Sequence, residues 1–177
     1  MLAIRVAPTG ELDAAELAEA RALCDAAFDG TFSDPDWEHA LGGLHALALE
    51  GPLLVGHAAL VARRLLHGGR SLRTGYVEAV AVPADRRRQG VGAAMMHALD
   101  RYLLGGFELG ALASSEVARA FYKGLGWQVW PGPTAVLGPD GVRPTPDEDG
   151  GIFVRPISVR LDPAVPLVCD WRNGDVW

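Results

Sequence analysis

At 177 residues, with 49% hydrophobic and 21% charged residues, the chain has the length and composition of one folded domain, 1–177, which would bury roughly 70% of its unfolded surface. That composition favours neither disorder nor a membrane class, and no apolar run is long enough to span a bilayer. A formal net charge of −6 counts against nucleic acid as the main partner and leans toward a cationic one.

The opening MLAIRVAPTGELDAAEL lacks the apolar core and cleavage signal of a secretory peptide, so a cytoplasmic location is expected. Within it LAIRVA reads as a strand. From Asp13 an alanine-rich segment sets Leu17, Ala20, Cys24, Ala27 and Phe28 at helical spacing before Gly30. In SDPDWEH, Asp34 reads as an N-cap with Pro35 at the first helical position, opening a short helix that ends near Gly42-Gly43. LHALALE, LLVGHAALVARRLL and RSLRTGYVEAVAV follow as strands of a meander, separated by the turn pairs Gly51-Pro52 and Gly68-Gly69.

The second half alternates strand and helix: YVEAVAV, GVGAAMMHALDRYLL, FELGALA, SEVARAFYKGLG and WQVW. Ser115 is placed to cap the second of these helices. Beyond Trp130 the composition shifts to Pro and Gly, with TAVL and GIFVRPISVRL as strand candidates. Cys24 and Cys169, far apart and without metal-ligand spacing, read as reduced structural thiols. His39, His45, His57, His67 and His97 show no metal or triad spacing and read as packed or surface residues. No metal site is implied.

The most informative stretch is VPADRRRQGVGAAMMHALD. A helix N-terminus carries unpaired amide donors and a partial positive charge, so it binds phosphate where the backbone can be approached closely. Gly90 and Gly92 open that first turn, and the arginines can add charge-assisted bonds. Val91, Met95, Ala98, Leu99 and Tyr102 form the stripe that holds the helix to a sheet. Taken alone, the segment reads equally as a basic turn before a closely packed helix. It has neither the ending of a P-loop nor the three-glycine dinucleotide fingerprint.

Arg87-x-x-Gly90-x-Gly92 after YVEAVAV resembles the acyl-CoA pyrophosphate loop of the GNAT-type N-acetyltransferase superfamily. ARAFYKGLGW resembles that superfamily's second hallmark segment. DWEHALGGLHAL, GYVEAVAV, LGALASS, TPDEDG and CDWRNGDVW extend the resemblance to the aminoglycoside 2'-N-acetyltransferase branch, over nearly the whole chain from Asp36 onwards.

The resemblance implies a mixed α/β fold of GNAT type, with a central, mostly antiparallel mixed sheet flanked by helices. Its fourth and fifth strands splay apart around acetyl-CoA. The pyrophosphate would rest on Arg87, Arg88, Gln89, Gly90, Val91 and Gly92, and the pantetheine arm would pair like an extra strand with Val80, Ala81 and Val82. An amine must shed a proton to attack a thioester, and the departing thiolate gains one. Glu78, the one carboxylate in its strand and on a common face with Tyr76, Val80 and Val82, is the expected general base, working through water. Tyr122 is the expected general acid, although alone it reads as a core aromatic.

Asp36, Glu78, Ala79, Asp147, Glu148, Asp175 and the terminal carboxylate of Trp177 are the expected contacts to the cationic acceptor. Taken alone, the Asp147 to Asp149 run is better read as a solvated surface. Thr31 and Glu148 depart from the branch's pattern, which has an acid and an aspartate there. Gly90 and Gly92 match the superfamily pattern more fully than the branch usually does. The bulky Trp171 and Trp177 imply that the tail docks.

The expected activity is therefore acetyl-CoA-dependent acetylation of the 2'-amino group of aminoglycosides, by direct transfer in a ternary complex and with antibiotic resistance as its consequence. The alternatives are the same chemistry on another amine or hydroxyl, such as a cell-wall sugar, and a non-catalytic CoA-binding sensor. Retention of Glu78 and Tyr122 argues against the sensor. A homodimer is expected from the resemblance, with neither nucleic acid nor membrane as partner.

Overall fold

The computed structural model describes residues 1–177. These form two compact units, Met1–Val61 with Val77–Tyr102, and Ala62–Tyr76 with Leu103–Trp177. Strands β3 (Leu53–His67) and β4 (Arg70–Ala81) each contribute one part to either unit.

In the first unit β1 (Leu2–Pro8), β2 (Leu44–Glu50) and the first part of β3 are joined antiparallel in that order. α1 (Ala14–Ala27) starts where the sequence places it. Asp13 accepts from Ala15 N and Glu16 N, while Glu16 reaches back to the Asp13 amide. This reciprocal box satisfies first-turn donors that would otherwise lack partners, which is worth about 1 kcal/mol. α2 (Asp34–Ala40) begins one residue earlier than expected, with Ser33 rather than Asp34 as its N-cap. Ser33 can form the same kind of box with Asp36 at N3, whereas Asp34 is drawn into an ion pair with Arg21 at 2.9 Å. Ala7, Leu12, Ala20, Leu47 and Leu54 make a buried cluster, against which Leu17, Leu23, Trp37 and Leu49 pack.

α3 (Val91–Gly106) lies directly on β3 in this unit. A Cβ built on Gly56 would stand 2.9 Å from Val91 Cγ1 and 3.0 Å from Met95 Cε. The buried face is Val91, Met95, Met96 and Leu99. Ala98 and Tyr102, expected on that stripe, are only half-buried.

The second unit is the larger sheet. Its strand order is β6 (Gln128–Val129), β9 (Ile152–Pro156), β5 (Leu109–Ala113), β4, β3, β10 (Leu167–Asp170), β7 (Thr134–Gly138) and β8 (Gly141–Pro144). Gly68 and Gly69, at φ 56° and 76°, close the β3–β4 hairpin, the two-residue turn whose positive φ angles suit glycine. β5 runs parallel to β4 only over Thr74↔Leu109, Gly75↔Gly110 and Tyr76↔Ala111. The expected helix after β5 divides into a 3-10 turn, Glu116–Ala118, and α4 (Arg119–Gly124), and Ser115 makes no side-chain cap bond.

Two strands are absent from the expected set, β8 and β10, while GIFVRPISVRL is a strand only as far as Pro156. β10 is four residues pairing parallel with β7, from Leu167↔Thr134 to Asp170↔Leu137. Its partner and not its own pattern makes it a strand. The architecture is the expected mixed α/β one, with antiparallel pairings outnumbering parallel ones.

Gly56→Ala should test the packing of α3. The added methyl meets the stiff Val91 side chain, so we expect a loss of about 1–3 kcal/mol. Thermal unfolding should show a midpoint about 3–10 °C lower. An unchanged midpoint would mean that the helix rides less closely on β3.

Candidate active site

In the first unit the chain leaves β4 through a 3-10 turn, Ala84–Arg86, and enters α3 by a loop containing two left-handed residues, Arg88 at φ 61° and Gly90 at φ 84°. The space beside Gly90 is open, with no heavy atom within 4 Å of a Cβ built there. Helix geometry leaves the amides of the first turn without intrahelical acceptors, so they and the axial dipole converge on this opening.

The arginines divide their work. Arg87 donates to Val82 O at 3.1 Å and to Ala27 O, in the last turn of α1, at 3.0 Å. Arg86 pairs with Glu50 at 3.2 Å, and the Gln89 amide donates to Asp85 O at 2.7 Å. Arg87 and Arg88 are both exposed, and of the two Arg87 is tied to main-chain oxygens. Two of the three positive charges, Arg86 and Arg87, therefore hold the loop.

Glu78, Ala79, Val80, Ala81 and Val82 lie on β4 and its exit, and Glu78 is half-buried. Regular alternation fails here, because Ala79 has φ 48°. A left-handed alanine costs roughly 1–2 kcal/mol and interrupts the expected common face of Tyr76, Glu78, Val80 and Val82.

What meets that residue was not expected. His57 Nδ1 donates to Ala79 O at 2.9 Å, His45 Nδ1 and His57 Nε2 are 2.8 Å apart, and His45 Nε2 lies 2.8 Å from Thr9 Oγ1. Thr9 Oγ1 in turn accepts from Gly42 N at 2.9 Å. Both imidazoles are fully buried, with the Trp37 ring beside them. Burial, opposed by the bond to Ala79, pulls His57 down to about 4, and burial also lowers His45. The signal in sequence was two histidines in adjacent apolar strands. What was missing was the register, Leu47↔His57 and His45↔Ala59, that makes them neighbours.

Asp36 is also in this unit. Its Oδ2 accepts from Ser33 N at 2.8 Å and from Ser33 Oγ at 2.7 Å, leaving Oδ1 outside the cap. Thr31 is exposed and donates to Phe28 O.

The second unit holds Tyr122, Asp147, Glu148, Asp175 and Trp177. Tyr122 is buried on α4 against Phe121 and Phe153. Asp147 and Glu148 form a 3-10 turn with Pro146, whereas Asp149, itself exposed, accepts from Thr134 N and Thr134 Oγ1, both at 2.8 Å. Desolvation, then the charges of Asp175 and Asp147, push the Glu148 carboxyl above its ordinary range. Three of the expected acceptor contacts are thus gathered in one place.

The tail docks beside them. The Trp177 indole donates to Thr145 Oγ1 at 2.9 Å, and its main-chain oxygen accepts from Arg172. Arg63 holds the approach to it, donating to Asp170 Oδ1 at 2.8 Å and to Val176 O at 2.7 Å. Trp177 is 2% exposed, but Trp171 stays 46% exposed, with Arg143 over its ring.

Comparison with known proteins identifies the class. A family model described as an acetyltransferase (GNAT) domain matches residues 10–130. An aminoglycoside 2'-N-acetyltransferase of Mycolicibacterium fortuitum is 49% identical over 98% of this chain and 91% of its own length. Among solved structures, a GNAT family acetyltransferase from Brucella melitensis in complex with acetyl-CoA superposes with TM-score 0.63 at 18% identity, covering 93% of this chain and 94% of that one. Escherichia coli ElaA gives 0.62 at 17% identity, covering 88% and 99%. The chain belongs to the GNAT acetyltransferase family.

Acetyl-CoA is the acyl donor of that family, and this chain fits it. The left-handed Gly90, the open space beside it, the first-turn amides of α3 and the exposed Arg88 suit a pyrophosphate. No helix is long and apolar enough to cross a membrane.

The buried histidines make stability depend on pH. His57 binds its proton more weakly folded, at about 4, than at its ordinary 6.5. Between those values the unfolded chain takes up more protons, so the stabilisation is full above pH 6.5 and falls as pH drops through about 4. At about 1.4 kcal/mol per pH unit the loss reaches about 3 kcal/mol. Urea unfolding across that window should show it, and His57→Gln should flatten the dependence. An equally steep curve in the variant would assign the loss to other groups.

Proposed function

We propose that the chain acetylates the 2'-amino group of aminoglycosides with acetyl-CoA, by direct transfer in a ternary complex, and so confers resistance to them. The observation that carries this reading is 49% identity over 98% of the chain to the Mycolicibacterium fortuitum aminoglycoside 2'-N-acetyltransferase. A family match without it would leave the acceptor open.

Bound acetyl-CoA supplies an acetyl group activated as a thioester. Gly90 to Gly92 and Arg88 hold its pyrophosphate, and the main chain of Val80, Ala81 and Val82 pairs with its amide-bearing arm. The Glu78 carboxylate, through a water molecule, takes the proton that the acceptor's ammonium group must shed. Tyr122 holds at its phenol oxygen the proton destined for the departing sulfur. Asp36, Ala79, Asp147, Glu148, Asp175 and Trp177 receive the acceptor, whose several positive charges call for carboxylates.

Direct transfer is supported by the state of the thiols. Burial, then the charge of Asp25, pushes Cys24 up to about 12, and burial pushes Cys169 up to about 11. Neither is a thiolate nucleophile near neutral pH, so an acyl-cysteine route has no carrier. Both cysteines are free, as in a reducing compartment, and a cytoplasmic location belongs to the proposal. So do a homodimer, to be read by light scattering, and the working of residues 1–177 as a single acetyltransferase domain.

Thiol release from acetyl-CoA should appear with an aminoglycoside bearing a 2'-amine and not with its 2'-hydroxyl analogue. Release with neither compound would remove the assignment. Glu78→Gln and Tyr122→Phe should each lower kcat by about 10²–10⁴-fold while acetyl-CoA still binds, as calorimetry would read. Undiminished turnover in either variant would return that residue to a structural role.

A further inference from the structure

The row Thr9–His45–His57–Ala79 lies in the first unit, and its three side chains, Thr9, His45 and His57, have no part in the chemistry assigned above. Its direction is fixed by its end. The Ala79 oxygen is a carbonyl and can only accept, so Nδ1 of His57 carries the hydrogen across the 2.9 Å contact. In the neutral ring Nε2 then bears the lone pair, and His45 Nδ1 must donate to it across 2.8 Å. His45 Nε2 is left as acceptor for the Thr9 hydroxyl at 2.8 Å. Every polar atom of the row is satisfied by one tautomer of each ring. Cys24 Sγ, 3.6 Å from His57 Nδ1 and 3.9 Å from Ala79 O, closes the remaining side.

A row that ends on a carbonyl does not deliver a proton to a reacting group; it sets a direction. The peptide after Ala79 is planar, so aiming its oxygen at His57 aims the Val80 N–H the opposite way. The same plane follows the left-handed residue that redirects β4 immediately after Glu78.

We propose that His57, oriented in turn by His45 and Thr9, is a positioning residue for acyl transfer: its Nδ1–H holds the Ala79 carbonyl, and with it the left-handed turn that fixes where Glu78 and the Val80–Val82 main chain face. This rests on the reading of β4 as the acyl-transfer strand. Ala79 pays for its backbone conformation with no glycine-like freedom, so an external hold is what keeps one conformer populated.

Two substitutions separate this role from ordinary packing. The His57→Asn amide nitrogen occupies the place of Nδ1, keeping the donor to Ala79 and losing the link to His45. His57→Gln places its amide at Nε2, keeping a partner for His45 and losing the bond to Ala79. Each cuts one link of the row, so both should lose similar thermal stability. We expect kcat in His57→Gln to fall by about 10- to 100-fold, and His57→Asn to stay within about threefold of wild type. Acetyl-CoA affinity, measured by calorimetry without acceptor, should follow the same order.

Imidazole ¹⁵N spectra of the wild-type protein should show His57 protonated at Nδ1 and bare at Nε2. The Nε2–H tautomer, or equal kcat and equal acetyl-CoA affinity in the two variants, would overturn the proposal. Should wild type turn over no aminoglycoside, the proposed function falls, and affinity and tautomer still decide on the histidines.

Discussion

One hydrogen bond, from His57 to the Ala79 carbonyl, governs the part of β4 on which the chemistry is proposed to occur. A strand left to its own preferences keeps its residues extended and its side chains alternating. Ala79 departs from that, and a non-glycine residue does so only when its surroundings over-determine it. The surroundings here are two imidazoles made neutral by burial and made directional by a carbonyl. A lysine or arginine in the same place would bring a charge needing a counter-ion in a packed core, whereas neutral histidine supplies a donor and an acceptor at opposite corners of one rigid ring.

The loop that follows is held on a different principle. Arginines before a glycine-rich turn invite the reading that all of them face an anion. In the structure Arg87 reaches back to the end of α1 and to Val82, and Arg86 pairs with Glu50. These bonds fix the loop before any ligand arrives, so main-chain donors at the start of α3 are already in place. The Gly56 contact does the same for the helix behind them. Preorganisation of this kind lowers the ordering cost of binding, and a guanidinium that binds carbonyls contributes to it as much as one that meets phosphate.

Much of this was legible in the sequence where signals are local. The helix start at Asp13, the stripe of Val91, Met95 and Leu99 and the glycine pair at Gly68-Gly69 each declare themselves within a few residues. The lost features are the non-local ones. β10 exists because β7 is beside it, and His45 meets His57 only through a strand register that no short window contains. The same holds for Asp149, the exposed third member of an acidic run, whose bonds to Thr134 no short window predicts. Among the expected site residues, the loop and β4 could be singled out because a motif names them, whereas the bonds of Arg87 and Asp149 depend on partners far away in sequence.

The two units handle buried polarity in opposite ways. In the second, Arg63 stays charged. Burial works against it, but Tyr76, Asp170 and Cys169 hold its proton more firmly than usual, and its guanidinium lies 4.5 Å over the Tyr76 ring. Arg172 stands over the same ring at 5.4 Å and bonds the Trp177 main chain. Charge is useful there because several carbonyls and a carboxylate of the last segment must be gathered at once, and a guanidinium offers enough donors to do so. In the first unit a single carbonyl needs one donor, so neutral rings suffice. Acid therefore reaches the two units differently: protonation disrupts the histidine row, while the guanidinium clamp keeps its own charge.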